Sequence, residues 1–517
     1  MDFLKSILKN KLCKIEDAVS LIGDGQTVVS GGFVGSAHPE ALTAALEKRF
    51  LNSGSPRDLT IVYAAGQGDG KTRGANHFAH KGMIKRVIGG HWGLAPGLGR
   101  LAIEGHIEAY NFPQGVICQL FRDIAAGRPG CITHIGLETF IDPKYDGGGI
   151  NSKSTEPLVE RIELGGRQWL WYKSFPVHIG LIRGTAADPF GNIVTYDEAI
   201  IGEILPIAQA VHNSGGKVIA QVQKILDSPV CPQSVKVPGI LVDHIVIAEP
   251  GQHQQTFAEQ YNEGYCSPLP DNTASRISLE KMAMGPRRII AARALMEIGE
   301  NAIVNLGIGM PEGIARIAAE YGVSDRFTLT VESGPIGGIP AGGWSFGASL
   351  YPQAIIDQPA QFDFYDGHGL DFAALGAAQI DTCGNVNVSK FGSKLPGVGG
   401  FVNITQTAKK LVFCSTMTAE GLDIMCRGGN LVIVSEGRVK KFIEKVEQVS
   451  FSAFHSLESG QEVLYITERA VFRLTAKGLE LKEVAPGIDM DRQVLANMGF
   501  KPVINKVKSM PEEIFSA

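Results

Sequence analysis

Two hydrophobic patterns alternate along the chain, one typical of buried strands and the other of amphipathic helices. The β-branched run TVVS enters a glycine-rich turn, after which the segment 39–50 carries apolar residues at Leu42, Ala45 and Leu46. Their i, i+3, i+4 spacing is that of a helix face that packs on a sheet. The strand-like segment LTIVY follows at 59–63. This order of elements predicts a βαβ unit with a right-handed crossover and a largely parallel sheet.

The same pattern recurs in the second half of the chain, which indicates a duplication. The matched segments are IGDGQTVVSGGF (22–33) with IGENAIVNLGIG (298–309), PEALTAALEKRF (39–50) with PEGIARIAAEYG (311–322), LTIVYAAG (59–66) with FTLTVESG (327–334), and ADPFGNIVT (187–195) with IDTCGNVNV (380–388). The equivalent residues are Gly23 and Gly299, Gly31 and Gly307, Pro39 and Pro311, and Gly66 and Gly334. Each proline suits the first position of a helix. The repeat predicts two tandem, related α/β domains that bind ligands at the carboxyl ends of their strands.

The two copies differ in length between their second and third matched segments. Gly66 and Asp188 are 122 residues apart, whereas Gly334 and Asp381 are 47 apart. The first copy therefore carries about 75 extra residues, including GGHWG and AYNFPQG, whose composition is that of a pocket-forming loop or, equally, of a plain surface insertion.

The predicted domain boundaries follow from composition. The segment 265–278 is polar, contains proline and has no periodicity, as is typical of linkers. We therefore expect an N-terminal domain at 1–270, a linker at 271–285 and a C-terminal domain at 286–517. Within the last domain, the short alternating segments VLYITERAVFRLT and LELKEV predict an antiparallel extension.

Charge and composition exclude several classes of protein. The 48 Lys and Arg against 53 Asp and Glu give a net charge of -5, which is too balanced for a nucleic-acid-binding surface. No apolar run reaches the length of a signal peptide or a membrane span, so we expect a cytoplasmic protein without membrane contact. The eight cysteines form no C-x-x-C pair and predict reduced, buried thiols.

The segment AGQGDGKT (65–72) is similar to a phosphate-binding loop and follows a predicted strand. Its first position is Ala65 instead of glycine, and no magnesium-binding aspartate stands in the expected context. A glycine-rich turn with an exposed lysine is therefore the favoured interpretation. For His77 and His80, which have H-x-x-H spacing, we favour a surface helix pair over a metal site, and we predict no metal in the protein.

A second candidate site is GIGMPEG (307–313), a glycine turn between a predicted strand and a helix. Glu332 lies nineteen residues beyond Gly313, near the distance at which a dinucleotide-binding acid holds the ribose. Pro311 inside the turn and the glycine-dense segment after Glu332 argue against this interpretation. A nicotinamide-dependent oxidoreductase stays open as the alternative.

The third candidate is Glu332 itself, acting as a nucleophile. At the equivalent strand end, the first copy carries Ala64, so the fold does not require a carboxylate there. A glutamate at a strand end facing glycine loops can form a covalent intermediate whose oxyanions the backbone amides stabilise. A glutamate that only interacts with a helix N-terminus is the structural alternative.

The segments DGQTVVSGGFVGSAHP (24–39), NLGIGMP (305–311) and VESGPIGG (331–338) resemble the two signatures of family I coenzyme A transferases. The resemblance extends through AYNFPQG, QFDFYDGHGLD, GNVNVSKFG, GVGGFVNI and ITERAVFRL, and is greatest with the single-chain propionate and acetate CoA-transferases. The first signature departs from the family pattern at Ser30, where an apolar residue is usual, and at Ala37, where glycine is usual.

The resemblance implies that both domains have the open-sheet CoA-transferase fold. It also implies a transfer of CoA between short-chain acyl-CoA and a free acid such as acetate, propionate or butyrate, by a ping-pong mechanism through a glutamyl-CoA thioester on Glu332. Gly399 and Gly400 match the residues for oxyanion or CoA binding, and Gln114 is a candidate for the acyl pocket. CoA is then a substrate, no other cofactor is needed, and a homo-oligomer, most often a tetramer in this family, is expected.

Overall fold

The computed structural model describes residues 8–270 and 281–516, and its contacts divide the chain into two compact units. Unit 1 comprises Met1–Pro268, Val331–Asp363 and Gly392–Asn403, and unit 2 comprises Leu269–Thr330, Phe364–Phe391 and Ile404–Ala517. Two segments of the predicted domain 286–517 are thus grouped with unit 1. Most of the predicted linker 271–285 lies outside the described residues, so the domain boundaries stay a prediction.

The α-helices of the described residues are short to medium in length. They include α1 (Ile15–Ser20), α2 (Glu40–Ser53), α3 (Pro96–Ile103), α4 (Gln114–Ala125), α5 (Ile204–Asn213), α6 (Pro286–Leu295), α7 (Gly313–Glu320), α8 (Gln358–Asp366), α9 (Phe401–Thr407) and α10 (Ala453–Glu458). No helix of the described chain is long and apolar enough to cross a membrane.

The strands of residues 8–270 are β1 (Thr27–Ser30), β2 (Leu59–Tyr63), β3 (Ile84–Gly89), β4 (Glu108–Asn111), β5 (Gly130–Thr133), β6 (Val159–Leu164), β7 (Arg167–Lys173), β8 (Ile179–Ala187), β9 (Ile193–Val194), β10 (Lys217–Ile225) and β11 (His244–Ile247). The strands of residues 281–516 are β12 (Ala302–Leu306), β13 (Phe327–Thr330), β14 (Pro335–Ile336), β15 (Ile339–Pro340), β16 (Ser349–Leu350), β17 (Ala354–Ile355), β18 (Phe372–Gly376), β19 (Gln379–Ile380), β20 (Val386–Asn387), β21 (Lys410–Cys414), β22 (Thr418–Ala419), β23 (Asp423–Arg427), β24 (Asn430–Ser435), β25 (Val439–Lys440), β26 (Glu462–Ile466), β27 (Ala470–Thr475), β28 (Gly478–Val484) and β29 (Val503–Ser509).

Unit 1 is built on an open sheet with the order β11-β10-β8-β1-β2-β3-β4. All six pairings along this order are parallel, and β9 adds an antiparallel pairing with β8. Every residue of β1 and β8 is buried, as expected for parallel strands covered on both faces. A separate three-stranded sheet has the order β5-β7-β6. The predicted largely parallel sheet is confirmed.

Helix α2 shows how the sequence pattern produces this packing. Leu42 and Leu46 of the predicted stripe are fully buried in the core, and Ala45 is partly buried against it. Pro39 lies just before the helix instead of at its first position. The helix ends at Gly54, whose φ of 70° is a left-handed conformation that glycine adopts without strain.

Unit 2 contains a sheet in which the strands follow the order β13-β12-β18-β21-β26-β27-β28-β29. The pairings from β13 to β26 are parallel. The pairings β26–β27 and β27–β28 are antiparallel, which confirms the predicted antiparallel extension. Strand β29 then returns parallel to β28.

Matching hydrogen bonds in the two units confirm the repeat. The backbone N–H of Gly31 donates to Leu181 at 3.1 Å, and that of Gly307 donates to Ala374 at 2.9 Å. In both cases the glycine follows the central strand and bonds the neighbouring parallel strand.

The third matched segment folds alike as well. Asp188 accepts hydrogen bonds from the backbone N–H of Phe190 and Asn192, and Asp381 accepts them from Cys383 and Asn385. The same aspartate-stabilised turn therefore closes each copy.

The cysteines are only partly as predicted. All eight are free thiols, but Cys231 and Cys383 are exposed and only Cys118, Cys131 and Cys414 are buried. The prediction of uniformly buried thiols is wrong because Cys231 and Cys383 lie in surface turns, where a small side chain does not need a core position.

Candidate active site

The candidate residues of unit 1 follow the carboxyl ends of four neighbouring strands. Gly31 comes after β1, Gly66 after β2, His91 after β3 and Gln114 after β4. Open parallel sheets bind ligands at this edge because the loops there converge. The topology of unit 1 therefore brings segments far apart in sequence to one edge of one sheet.

The loop GGHWG pairs with the segment 396–400, which belongs to the same unit. Trp92 donates its backbone N–H to Pro396 at 2.7 Å, and Gly399 donates to Gly90 at 2.7 Å. The buried side chain of Asn111 holds both segments, because its amide donates to Gly90 and its oxygen accepts from Val398 at 3.0 Å. GGHWG and AYNFPQG are thus packed against the segment 396–400 and do not form a plain surface insertion.

Gly399, Gly400 and Gln114 meet in this arrangement. The Gln114 backbone N–H, at the start of α4, donates to the Gly399 carbonyl at 2.9 Å. The Gln114 side chain is buried, and its Nε2 has no hydrogen-bond partner among the described residues. The Gly399 N–H is already used by Gly90, whereas the buried Gly400 donates its N–H to no described residue. Gly400 is therefore the better candidate for an oxyanion donor.

Glu332 lies in a tight turn after β13, within unit 1 and 9% exposed. Val331 donates to Pro335 at 2.9 Å and Gly334 donates to Val331 at 3.0 Å, which fixes the backbone on both sides of the carboxylate. Gly334 has a φ of 126°, and a Cβ there would stand 2.1 Å from the carbonyl oxygen of Ile356. Only glycine fits this position.

The neighbour of Glu332 connects this turn to the first signature. The Ser333 hydroxyl donates to the Gly347 carbonyl, and the Phe33 ring packs on Phe346 with centroids 5.6 Å apart. Phe33 belongs to the loop after β1, and the next residue, Val34, donates its N–H to Gly66 at 2.7 Å. The glutamate turn and the glycine loop are thus packed together in one unit.

Ser30 and Ala37, the two departures from the family pattern, both have a structural role in this loop. The buried Ser30 hydroxyl donates to the Gln67 side-chain oxygen at 2.9 Å, and the Gln67 amide donates back to the Ser30 carbonyl at 2.8 Å. Ala37 adopts a φ of 54°, which explains why glycine is usual at this position. His38 also binds the Gln67 oxygen, at 2.8 Å, so one glutamine holds the glycine loop from several sides.

His77 and His80 do not form the predicted surface helix pair. His77 is buried and contacts Glu40 at 2.9 Å and Glu47 at 2.6 Å, and His80 contacts the other oxygen of Glu47 at 2.6 Å. Burial lowers the pKa of His77, but the two carboxylates outweigh it and raise the pKa above its usual value. No cluster of three or more His, Cys, Asp or Glu in the described chain could hold a metal ion.

The segment AGQGDGKT is a turn closed by its own carboxylate. Asp69 accepts hydrogen bonds from the backbone N–H groups of Lys71 and Thr72 at 2.8 Å and of Arg73 at 3.0 Å. These are the donors that a phosphate would need. The segment is therefore a glycine-rich turn, as favoured from the sequence.

His91 is a candidate that sequence reasoning did not single out. A Cβ on Gly66 would lie 2.6 Å from its Nδ1, and one on Gly399 would lie 3.9 Å from its Cδ2. Burial lowers the pKa of His91 to about 4, so the ring is neutral near pH 7. GGHWG drew attention through its composition, but nothing in the sequence shows that the histidine faces Gly399.

Glu203 is a fully buried carboxyl group just before α5. Burial raises its pKa to about 8. Both of its carboxyl oxygens are buried and have no hydrogen-bond partner among the described residues. Glu203 is therefore largely protonated at neutral pH.

Comparison with known proteins identifies the family of this chain. A sequence model of the family described as coenzyme A transferase matches residues 13–248. The acetate CoA-transferase YdiF of Escherichia coli strain K12 is 42% identical over 503 residues, which are 97% of this chain and 94% of that protein. The caffeate CoA-transferase of Acetobacterium woodii is 40% identical over 514 residues, which are 98% of this chain and 97% of that protein.

The solved structures lead to the same class. A crystal structure of the acyl-CoA transferase YdiF from Escherichia coli O157:H7, a thioester complex with CoA, has a TM-score of 0.91 at 40% identity and covers 98% of this chain and 96% of that chain. The chain belongs to the coenzyme A transferase family and is an acyl-CoA transferase. None of these relatives supports the nicotinamide-dependent alternative at GIGMPEG.

Proposed function

We propose that the protein transfers CoA between short-chain acyl-CoA and a free carboxylic acid, with Glu332 as the nucleophile. The observation that carries this proposal is the grouping of Glu332, Gly400 and Gln114 in one compact unit although they are far apart in sequence. The unused N–H of Gly400 supplies the kind of donor that such a reaction needs.

Each chemical step exchanges one acyl group and conserves charge. The Glu332 carboxylate attacks the thioester carbonyl, and the C–S bond breaks to give an acyl-glutamyl anhydride and CoA thiolate. The thiolate then attacks the glutamyl carbonyl, which releases the carboxylate and leaves a glutamyl-CoA thioester. The acceptor acid reverses both steps, so the reaction is ping-pong.

Oxyanions form at each attack and define the roles of the other residues. Gly400, through its backbone N–H, stabilises the tetrahedral intermediates, and Gly399 positions this amide through its own bond to Gly90. The unpaired Nε2 of the buried Gln114 supports a role as hydrogen-bond donor to the acyl substrate.

The proposal extends to the conditions of the reaction. Because one thioester is exchanged for another, no metal, nucleotide or nicotinamide is required, and CoA is only a substrate. Acetate, propionate and butyrate are the proposed acids. We also propose a cytoplasmic homo-oligomer, with a tetramer as the expected state, which light scattering of the purified protein would test.

The decisive experiment traps the covalent intermediate. The wild type is incubated with acetyl-CoA and no acceptor, and intact-mass spectrometry is expected to show a gain of one CoA minus one water. Borohydride then reduces the thioester to an alcohol. After proteolysis, this modification should map to the peptide that contains VESGPIGG, and Glu332→Ala should show neither the CoA adduct nor the reduced product. Wild type without an adduct, or an adduct on another peptide, would refute the nucleophile.

Two substitutions at one position test the oxyanion donor. Gly400→Pro removes the backbone N–H, whereas the matched control Gly400→Ala keeps it. We expect Gly400→Pro to slow adduct formation ~10²–10³-fold, as the loss of one preorganised donor typically does. Equal rates in the two variants, at equal melting temperature, would place the donor elsewhere. A panel of acetate, propionate, butyrate, lactate and caffeate as acceptors then decides the substrate class.

A further inference from the structure

His91 lies in a niche made by three glycines of unit 1. A Cβ on Gly66 would stand 2.6 Å from Nδ1, and one on Gly93 would stand 3.0 Å from Cε1. A Cβ on Gly399 would lie 3.7 Å from the His91 Cβ. The absence of side chains at Gly66 and Gly93 therefore leaves the space that the imidazole occupies.

The same contacts decide which ring nitrogen carries the proton. Nδ1 is buried and has no hydrogen-bond partner among the described residues. Nδ1 faces the Gly66 Hα that stands where a side chain would begin. A proton on Nδ1 would therefore clash with this Hα. The neutral ring therefore carries its proton on Nε2, which becomes a donor.

Nε2 is available to donate this N–H in a hydrogen bond to a ligand. The His91 side chain is partly exposed, and Nε2 makes no hydrogen bond to the described residues. Because burial lowers the pKa of the ring to about 4, His91 stays a neutral donor over the whole range around pH 7.

The position of the ring ties it to the reaction. A Cβ on Gly399 would lie within 3.9 Å of the His91 Cδ2 and 3.6 Å of the Gln114 Oε1, so both side chains border the same backbone atoms. On its other side, Gly66 accepts the hydrogen bond from Val34 in the first-signature loop. His91 thus lies between the two glycine loops of the candidate site.

Resting on the proposed function, we propose that His91 contacts the acyl substrate: its Nε2–H donates a hydrogen bond to the thioester carbonyl oxygen beside Gly399. The bond strengthens as that oxygen becomes an oxyanion, and the proton stays on the ring throughout. His91 is then a second donor beside the Gly400 amide, and acts only on the oxygen of the acyl group.

Three substitutions separate this role from a structural one. His91→Phe keeps a planar ring and removes the donor. His91→Gln places an amide nitrogen near the position of Nε2, whereas His91→Asn places one near that of Nδ1. We expect His91→Phe and His91→Asn to form the CoA adduct from acetyl-CoA ~10²-fold more slowly than the wild type, and His91→Gln to stay within ~10-fold. Melting temperatures of all three variants are measured alongside.

The controls keep the two proposals apart. A wild type that forms no adduct contradicts the proposed function, whereas a wild type that forms it while His91→Phe matches its rate overturns only the role of His91. Equal loss in His91→Gln and His91→Asn would show a structural role and would also overturn it. The ratio of wild-type to His91→Phe rates should stay constant between about pH 6 and 9, because a neutral donor does not titrate there. A ratio that changes with pH would mean proton transfer and would refute a neutral donor.

Discussion

Glu203→Gln should change how the stability of unit 1 depends on pH. In the folded protein, burial raises the pKa of this carboxyl group from 4.5 to about 8. Between these values the folded state holds a proton that the unfolded chain has released. Because the folded-state pKa is raised, the stabilising contribution of Glu203 is complete below pH 4.5 and is lost as pH rises from 4.5 towards 8.

The expected size follows from the shift. Each pH unit within this window costs the wild type ~1.4 kcal/mol of unfolding free energy through Glu203. Glutamine is similar in shape and does not titrate, so the variant lacks this loss. The difference in unfolding free energy, variant minus wild type, should rise by about 3 kcal/mol between about pH 5.5 and 7.5.

Tryptophan fluorescence can follow this change in the correct unit. The four tryptophans, Trp92, Trp169, Trp171 and Trp344, all belong to unit 1. Urea unfolding at several pH values, monitored by their emission, gives the difference curve. Glu249→Gln, at an exposed glutamate of the same unit, is the control and should follow the wild type. A flat difference curve for Glu203→Gln would refute the raised pKa.

Three further substitutions test other parts of the structure. Glu332→Asp withdraws the carboxylate by about 1 Å and should lower kcat/KM ~10²-fold at unchanged melting temperature; a loss below tenfold would contradict precise positioning. Gly334→Ala places a methyl group 2.1 Å from a carbonyl oxygen at a φ of 126° and should lower both the melting temperature and activity, whereas Gly251→Ala, with nothing within 4 Å, should change neither. His77→Gln should destabilise the protein more at about pH 6 than at pH 9. Burial lowers the pKa of His77, but its two glutamate partners raise the pKa by more, so the net shift is upward. The stabilising charge on His77 is therefore present below pH 6.5 and is lost as pH rises through the raised pKa. Equal destabilisation of His77→Gln at both pH values would contradict the ion pairs.

The repeated sheet could be predicted from the sequence because its signals are local. A β-branched run, a glycine turn and an amphipathic stripe each act within about ten residues, and a duplicated copy strengthens each signal. The pairs Gly31 and Gly307, and Asp188 and Asp381, therefore make equivalent hydrogen bonds in the two units.

The site could be predicted only in part, because its contacts join distant segments. The Gly399 N–H is not available to a ligand because it donates to Gly90, more than 300 residues earlier in the chain. The occupation of the AGQGDGKT amides by Asp69 depends on loop geometry that the motif alone does not define. The repeat aligns Gly66 with Gly334, but only the structure shows that the space left by the missing Gly66 side chain is occupied by the His91 ring.

The grouping of 331–363 and 392–403 with the first 268 residues has a consequence for synthesis on the ribosome. Unit 1 lacks its last segment until residue 403 has been made, 135 residues after Pro268. At ~5–20 residues per second, translation of this stretch takes roughly 7–27 s. During that time the edge formed by GGHWG and Asn111 is without the partner loop 396–400 that pairs with it in the finished protein. The nascent chain thus exposes this edge of the candidate site while the segments 269–330 and 364–391 of unit 2 are made, and chaperones have access to the edge during this interval.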